Sequence, residues 1–345
     1  MNSLKSILWI IRRNERDIVD LYNSIMPFVQ YALNDSNNKN NTNSNYKMLN
    51  FGYWTQTTTS PIEAQVKLCE LIGIFADLKS TKKVIDVGSG FCAPALLWNL
   101  RYNNIEDLLD IFCIDINLKQ LRIALENISS LIPVKLTESD LTYEMINADG
   151  RCKQTNEINA TAISLVNATS TTLPFANNCV DRIISLESAQ HFKPLSKFLS
   201  ESKRVLKPDG LIVIALPIIG PKLSHHSSLL QFAKLGILYF TWASEHYSLE
   251  RIKSKIKIEG FEIQNIQRIG HHVYEPCADY YIQNRSELKK RLKTKASSHA
   301  RSLLVEFVEK IIYISAIKMK DLSQKEIIDY VLIKATLPTS QMIIK

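Results

Sequence analysis

The sequence predicts an α/β fold in which helices cover both faces of a mostly parallel β-sheet. Short apolar segments alternate with longer segments whose apolar residues recur at helical spacing, from about residue 60 to residue 217. Continuous apolar strands are typical of parallel sheets, because those strands are buried on both faces. Parallel neighbours also need a long crossover connection, and the intervening helical segments supply it.

The predicted strands are short and rich in valine, isoleucine and leucine. In chain order they are 84–87, 111–114, 163–166, 183–186, 211–216, 261–266 and 330–337. Helical spacing of apolar residues predicts the helices 4–31, 64–78, 95–100, 118–128, 198–206 and 286–320. Two polar segments interrupt this pattern: the asparagine-rich residues 34–45 predict a mobile loop, and residues 131–160 predict a surface insertion.

Composition excludes several classes of protein. Of the 345 residues, 46% are hydrophobic and 22% are charged, which excludes a disordered, collagenous or coiled-coil chain. No apolar run approaches the roughly 20 residues of a membrane-spanning helix. The apolar residues 7–11 lead into Arg12 and Arg13 without a small-residue cleavage site, so we expect neither a signal peptide nor an anchor there.

Cysteine spacing and net charge limit the metal sites, disulfides and binding partners that can be expected. The six cysteines are far apart and form no C-x-x-C pair. We therefore expect neither a metal site nor a disulfide framework, and we expect the protein to be cytoplasmic. The histidine pairs at 225–226 and 271–272 are also poorly placed for one metal. A net charge of +8 permits contact with RNA, anionic lipid or an acidic ligand, but it does not choose among them.

A glycine-containing turn after the first strand indicates a nucleotide-type ligand. Asp86 ends the strand, and Gly88 and Gly90 follow it in a G-x-G spacing that opens a helix. Glycine permits a positive φ and lets a ligand lie against bare backbone. Asp115 ends the second strand, where a carboxylate can accept both hydroxyls of a ribose. At this point a nicotinamide enzyme remains open, although Ala93 occupies the third glycine position of its G-x-G-x-x-G motif.

Two downstream segments decide between these cofactors. The segments LPFANNCVDRIISLE at 173–187 and RVLKPDGL at 204–211, in this order after the glycine turn, resemble the class I S-adenosylmethionine-dependent methyltransferases. The resemblance covers residues 50–217 well and residues 218–345 only in general plan. It implies a Rossmann-like, doubly wound, mostly parallel seven-stranded sheet with helical cap elements, S-adenosylmethionine as the cofactor and S-adenosylhomocysteine as its product.

The resemblance also assigns cofactor contacts residue by residue. Those near the methionine part of the cofactor are Asp86, Gly88, Ser89 and Gly90, and those near its ribose and adenine are Asp115, Ile116, Asn167 and Ala168, with Leu186 at the end of the fourth strand. Two positions depart from the family pattern. Asn167 replaces the usual aspartate beside the adenine amino group, and Cys92 replaces the third glycine.

An aromatic segment precedes the first helix of the predicted sheet domain. Tyr53 and Trp54, in the sequence NFGYW, resemble the GYW segment of small-molecule methyltransferases. In those proteins the two rings fold over the cofactor sulfonium, a cation that favours aromatic faces. The alternative is a local aromatic staple that fixes the N-terminal helix.

Glu187 and His191 follow the fourth strand at the carboxyl edge of the sheet, where open α/β sheets bind their ligands. In similar methyltransferases of sterols, tocopherols, benzylisoquinolines and sugars, these residue types face the acceptor. His191 could accept the acceptor's proton during methyl transfer. The alternative is that His191 only caps the strand end.

The leading hypothesis is therefore a methyltransferase for a small or lipid-like acceptor, with O, N or C as the methylated atom. We expect residues 1–49 to form a lid on a methyltransferase domain at 50–345, with helical caps at about 218–255 and 279–325 and peripheral membrane contact through the basic residues 289–301. Nucleic acid is disfavoured, because LESA at 186–189 stands where base-amino methyltransferases have N/D-P-P-Y/F. RNA methylation and a non-catalytic S-adenosylmethionine-binding protein remain as alternatives.

Overall fold

A computed structural model describes residues 17–20, 22–23, 48–103, 108–129, 131–132, 134–137, 163–236, 238, 243–294 and 299–338. Residues 17–20 and 22–23 are helical. The rest of the predicted lid up to residue 47 lies outside the described residues, as do the asparagine-rich loop, Cys152 and most of the predicted insertion at 131–160.

One sheet contains the strands of the described chain. They are β1 (Lys83–Val87), β2 (Asp110–Asp115), β3 (Val134–Thr137), β4 (Ile163–Asn167), β5 (Val180–Leu186), β6 (Leu206–Ile219), β7 (Glu262–Arg268) and β8 (Ile328–Thr336). Their spatial order is β3-β4-β2-β1-β5-β6-β8-β7. The predicted doubly wound, Rossmann-like class is confirmed, with one strand more than the predicted seven: β3 lies in the segment predicted to be a surface insertion and adds an edge strand to β4.

The sheet is mostly parallel. β1 pairs in parallel with β2 on one side and with β5 on the other, so Asp86 lies opposite Cys113 and Ile184. β8 runs antiparallel to β6, because Asp209 N donates to Leu337 O at one end and Gly220 N donates to Ile327 O at the other. In parallel strands the carboxyl ends meet at one edge, and this register brings the ends of β1, β2, β4 and β5 together there.

Nine α-helices are described along the chain. They are α1 (Pro61–Phe75), α2 (Ala93–Tyr102), α3 (Leu118–Ile128), α4 (Leu195–Val205), α5 (Ser228–Leu235), α6 (Leu249–Ile258), α7 (Gly270–Gln283), α8 (Arg285–Thr294) and α9 (His299–Gln324). Short 3₁₀ turns lie at Leu78–Ser80 and Ala189–His191. The helix predicted over 286–320 is thus two helices, α8 and α9.

One compact unit comprises residues 69–216, 250–267 and 331–345 and holds most of the sheet. Its helices present an apolar face to the strands; in α4, for example, Phe198, Leu199 and Val205 are fully buried. Trp98 is also buried, and its indole Nε1 donates to the Cys69 carbonyl at 2.8 Å. These contacts fix the helices that begin and end at the carboxyl edge of the sheet.

The other compact unit comprises residues 1–68, 217–249 and 268–330, and its described part is mainly helical. An ion pair within it joins α8 to α9: Arg285 donates to both carboxylate oxygens of Glu309, at 2.7 and 3.1 Å, and lies 3.5 Å over the Tyr313 ring. The Arg285 guanidinium holds the pKa of Glu309 below its usual range. Across the described segments, no helix has both the length and the apolar composition needed to cross a bilayer.

Candidate cofactor site

The turn after β1 requires glycine at residue 88. Gly88 has a φ of +77°, and a Cβ built on it would lie 2.3 Å from Cβ of Ser188. Its N–H donates to the Ile114 carbonyl at 2.7 Å, and Ser89 N donates to the same oxygen at 3.1 Å. The chain therefore passes close to the ends of both neighbouring strands, with bare backbone at the turn.

Two further residues of this turn, Gly90 and Cys92, also have a left-handed backbone conformation. Gly90 has a φ of +57°, and a Cβ there would meet only Gln120 Oε1 at 3.7 Å. Cys92, which replaces the family's third glycine, has the same φ of +57° and is fully buried at the start of α2. A non-glycine residue in this conformation costs roughly 1–2 kcal/mol. The left-handed conformation thus explains why the family prefers glycine at this position. Cys92 adopts the same conformation.

Asp115 ties the end of β2 to the glycine turn. Its Oδ2 accepts a hydrogen bond from Gly90 N at 2.8 Å, and its Oδ1 accepts one from Asn117 N at 2.7 Å. Burial raises the pKa of Asp115, and the two N–H donors oppose that rise. Each carboxylate oxygen has a second lone pair, so the side chain can hold the turn and still accept further hydroxyl donors.

Two residues beside Asp115 have the properties expected of an adenine site. Ile116 is 38% exposed, an unusual position for an isoleucine next to a buried strand end. Asn167 donates through Nδ2 to the Asp115 carbonyl at 2.9 Å, so its Oδ1 faces away as an acceptor. Ala168 N donates to the same carbonyl at 3.2 Å. The amide at 167 can therefore accept from an amino group, as the aspartate that it replaces does in the family.

Asp86 is a buried carboxyl group at the end of β1. Only 2% of the residue is exposed, and its Oδ2 has no hydrogen-bond partner within the described chain. Burial raises its pKa to about 7, and the negative charge of Asp115 adds to the rise. A buried acceptor without a donor suits a ligand that brings its own donor or positive charge.

The turn after β5 carries the residues predicted to face the acceptor. Leu186 ends the strand, and Glu187 follows with a φ of +51°, held by its N–H to the Ala215 carbonyl at 2.8 Å. Gln190 Nε2 donates to the Glu187 carbonyl at 2.7 Å. His191 is 8% exposed and closes the 3₁₀ turn through its N–H to the Ser188 carbonyl at 2.9 Å. His191 and Glu187 thus lie in one tightly bonded turn.

Ser188 joins this turn to the glycine turn, and sequence reasoning missed it. Its Oγ donates to the Val87 carbonyl at 2.6 Å and lies 2.6 Å from Oγ of Ser185. It also occupies the space that a side chain at Gly88 would need. The only signal in the sequence was a small hydroxyl residue directly after the fourth strand. Within the unit that holds most of the sheet, the structure therefore brings the predicted cofactor residues to the ends of β1, β2, β4 and β5.

Tyr53 and Trp54 lie in the mainly helical unit. Trp54 is 5% exposed; its backbone N–H donates to the His272 carbonyl, and its ring packs 5.5 Å from Tyr280. The Tyr53 ring lies 4.8 Å from the His272 imidazole. Gly52 must be glycine here, because a Cβ would lie 2.5 Å from Cβ of Ala64. These contacts join the segment to α7; the aromatic staple for the N-terminal helix and the role of the two rings at the cofactor both stay predictions.

The described residues contain no group of three or more histidine, cysteine, aspartate or glutamate side chains placed to hold a metal ion. The described cysteines, Cys69, Cys92, Cys113, Cys179 and Cys277, are free thiols. Burial, together with the neighbouring Cys92, raises the pKa of Cys113. The site chemistry of this part of the chain therefore rests on carboxylates, amides and one imidazole.

Comparison with known proteins agrees with this site. The family model described as "Methyltransferase domain" matches residues 130–214, which include β4, β5, α4 and most of β6. This match and the fold agree with the resemblance to class I S-adenosylmethionine-dependent methyltransferases that the glycine turn and the two downstream segments carry. S-adenosylmethionine is accordingly the cofactor that we test against the residues of the site.

Individual relatives show what the chain resembles. It is 24% identical over 246 residues to the erythromycin 3''-O-methyltransferase of Saccharopolyspora erythraea, a match that covers 68% of each chain. Two solved structures share the fold. The cyclopropane synthase MmaA2 of Mycobacterium tuberculosis has a TM-score of 0.62 at 15% identity, covering 90% of this chain and 97% of that one. For geranyl diphosphate C-methyltransferase of Streptomyces coelicolor A3(2) the TM-score is 0.56 at 13% identity, with coverages of 90% and 97%.

The residues present fit S-adenosylmethionine. The close approach at Gly88 leaves bare backbone for the methionine part, and the unpartnered Oδ2 of Asp86 suits its ammonium group. Asp115 has acceptor capacity for the ribose, the exposed Ile116 offers an apolar face to adenine, and Oδ1 of Asn167 can accept from the adenine amino group.

The raised pKa of Asp86 predicts a pH-dependent affinity for the cofactor. If the carboxylate form binds the cofactor's ammonium group, affinity will rise about tenfold from pH 6 to pH 8, as a group with a pKa near 7 ionises. Isothermal calorimetry at both pH values measures this. The Asp86→Asn variant should lose this pH dependence. Any pH dependence that remains in the variant comes from titration of the ligand itself. Equal affinity of the wild-type protein at pH 6 and pH 8 would refute the assignment.

The same ionisation affects folding with the opposite sign. Asp86 has a pKa of about 7 in the folded protein against 3.8 ordinarily, so between those pH values the folded state holds a proton that the unfolded state has released. The ligand-free protein therefore loses stability as the pH rises from about 4 to 7. Asp86→Asn should raise Tm at pH 8 and leave it nearly unchanged at pH 4. Asp110→Asn, at the start of β2, should change Tm in the same direction but by less, because burial raises the pKa of that carboxyl group less than it raises that of Asp86.

The contacts of Ser188 predict a coupled loss of stability and cofactor affinity. Ser188→Ala leaves the Val87 carbonyl and the Ser185 hydroxyl without this partner, which should lower the free energy of unfolding by about 1–2 kcal/mol. Ser202→Ala is a matched control, since this buried serine donates to the Phe198 carbonyl within α4. Thermal unfolding and calorimetry should show both variants destabilised, but only Ser188→Ala weakened in cofactor binding. Equal cofactor affinity in the two variants would show that Ser188 is structural only.

Proposed function

We propose that this protein transfers the methyl group of S-adenosylmethionine to a hydroxyl group of a small or lipid-like acceptor and releases S-adenosylhomocysteine. The similarity to an O-methyltransferase over 68% of the chain supports the hydroxyl acceptor. The comparisons give no support to RNA methylation.

The observation that carries the proposal is the position of His191 beside the glycine turn. β5 pairs directly with β1, and the turn that follows β5 touches the turn that follows β1 through Ser188 and Gly88. Open parallel sheets bind their ligands at this carboxyl edge. An imidazole three residues after Ser188 is therefore in the right part of the fold to meet an acceptor.

Each group of residues would have its own role in methyl transfer. Bound S-adenosylmethionine supplies an electrophilic methyl group on a sulfonium. Asp86, the glycine turn and Asp115 hold the cofactor, so that the acceptor needs only to be aligned with the methyl group. His191 takes the hydroxyl proton as the carbon–oxygen bond forms and the carbon–sulfur bond breaks. Glu187, fixed by the hydrogen bonds of its own backbone, orients the acceptor or the imidazole.

Methyl-labelled S-adenosylmethionine tests the proposal directly. The purified full chain is incubated with the label and an extract of the native host, and counts are measured in organic, small-aqueous, RNA and protein fractions. We expect label in the organic or small-aqueous fraction, in a product from which hydriodic acid releases the label as methyl iodide, as it does from a methyl ether. At a cofactor concentration near the Kd of the wild-type protein, the Asp115→Ala variant should transfer far less label to that product.

Label in RNA, or no label in any fraction, would contradict the proposal. Label in RNA would replace it with RNA methylation. Cofactor binding by calorimetry without transfer to any fraction would favour the non-catalytic S-adenosylmethionine-binding protein.

A further inference from the structure

A pocket of about 680 Å³ lies within the mainly helical unit, and none of its lining residues is among those assigned to the cofactor. One wall is the turn after β6 together with α5, and the other is the carboxyl end of α9 with the residues that lead into β8. Its volume is within the range of small-molecule sites.

Backbone hydrogen bonds preform the two walls. Gly220 N donates to the Ile327 carbonyl at 2.8 Å, and a Cβ at Gly220 would lie 2.1 Å from the Glu326 carbonyl oxygen, so the walls meet at this point. His226 N donates to the Leu223 carbonyl at 3.1 Å and closes the turn. The pocket therefore does not depend on a flexible segment between its walls.

The pocket is lined by three lysines and one histidine. Lys222, Lys234, Lys325 and His226 line it, and no carboxylate does so. Lys222 pairs with Glu326 at 3.2 Å and Lys325 with Asp321 at 2.5 Å, but both lysines are about 60% exposed, and such pairs are weak. Lys234 has no ion-pair partner in the described part of the chain. An anionic group is the ligand that this lining would attract.

The rest of the lining is apolar. Leu223, 2% exposed, and Ile327 form part of it, and Leu230 lies four residues before Lys234 on the same face of α5. The neighbouring Leu229 is 81% exposed. The apolar surface thus continues from the pocket onto the outer face of α5.

We propose that this pocket binds a phosphate group carried on an apolar chain. The lysines and the imidazole would hold the phosphate, and the leucines of α5 would cover the start of the chain. A soluble phosphorylated amphiphile and a phospholipid headgroup share this chemistry. The site is distinct from the proposed methyl transfer and does not require the cofactor.

Binding to defined probes tests the proposal without the cofactor. The full chain is titrated by calorimetry with decyl phosphate, inorganic phosphate and decanol. We expect decyl phosphate to bind at least tenfold more tightly than either of the others. Lys234→Gln should weaken that binding about tenfold, the effect of one charged hydrogen bond. Lys257→Gln, which removes an exposed lysine of α6 outside the pocket, should not change it.

Vesicles then distinguish the two sources of phosphate. Co-sedimentation with phosphatidylcholine vesicles containing phosphatidic acid, and dependence on Lys234, would identify a lipid headgroup. Decyl phosphate binding without vesicle binding would identify a soluble ligand. The proposal is overturned if decanol binds as tightly as decyl phosphate, or if Lys234→Gln and Lys257→Gln behave alike. Neither result depends on whether methyl transfer occurs.

Discussion

His191→Ala is expected to lower the rate of methyl transfer about 10²–10⁴-fold, the range for loss of a general base, while cofactor affinity changes less than twofold. The separation follows from the structure. His191 lies in the turn after β5, whereas the polar groups assigned to the cofactor are at the ends of β1, β2 and β4, and Leu186, the cofactor residue that ends β5, is apolar. Single-turnover transfer from labelled S-adenosylmethionine and calorimetry measure the two quantities independently.

Two further variants separate proton transfer from positioning. His191→Asn keeps a hydrogen-bonding side chain but cannot accept the proton, so full activity in this variant would leave His191 only a positioning role. Added imidazole should partly restore His191→Ala if proton transfer is what was lost. His271→Ala, which removes an exposed imidazole in the helical unit, is the matched control. A normal rate in His191→Ala would remove His191 from catalysis altogether.

The cofactor site was predictable because its signals are local. Each acid or glycine stands at the end of a short apolar strand, and the parallel topology brings those strand ends to one edge without any further information. Asp86, Gly88 and Asp115 could therefore be placed together from the sequence, and the structure joins Asp115 to Gly90 by a direct hydrogen bond.

Ser188 was not predictable, because its importance arises from a contact across 101 residues of chain. Nothing in the sequence near residue 188 shows that Val87 needs a donor there, or that Gly88 leaves room for a serine. Side-chain contacts between separate turns depend on the register of the strands, which sequence patterns leave open.

The boundaries of β6 and the edge strand β3 show a second limit. The sequence pattern predicts a strand at 211–216, yet β6 begins at Leu206 and includes the turn-type residues Pro208, Asp209 and Gly210. Asp209 has a φ of +59°, and the pairing of β5 with β6 is irregular between Val180 and Arg182. These residues therefore form an irregularity within the strand and do not end it. In β3 only four residues pair, too few for the alternation that identifies a strand.

Asp115→Ala is expected to have the largest effect on cofactor binding, a loss of about 2–4 kcal/mol or roughly 30- to 1,000-fold in affinity. The variant removes the acceptor assigned to the ribose and also frees Gly90 N and Asn117 N. Because S-adenosylhomocysteine has the same ribose, its affinity should fall by a similar factor. Calorimetry with both ligands measures the two losses.

Two variants separate the ribose contact from the support of the turn. Asp115→Asn keeps one oxygen that can accept from a backbone N–H but loses the charge, so it should bind the cofactor with an affinity between those of wild type and alanine. Asp110→Ala removes a half-buried carboxylate from the opposite end of β2 and should affect stability without affecting the cofactor. If Asp115→Ala binds both ligands as wild type does, the ribose assignment is wrong. If the loss is confined to S-adenosylmethionine, Asp115 acts on the charged sulfonium and not on the ribose.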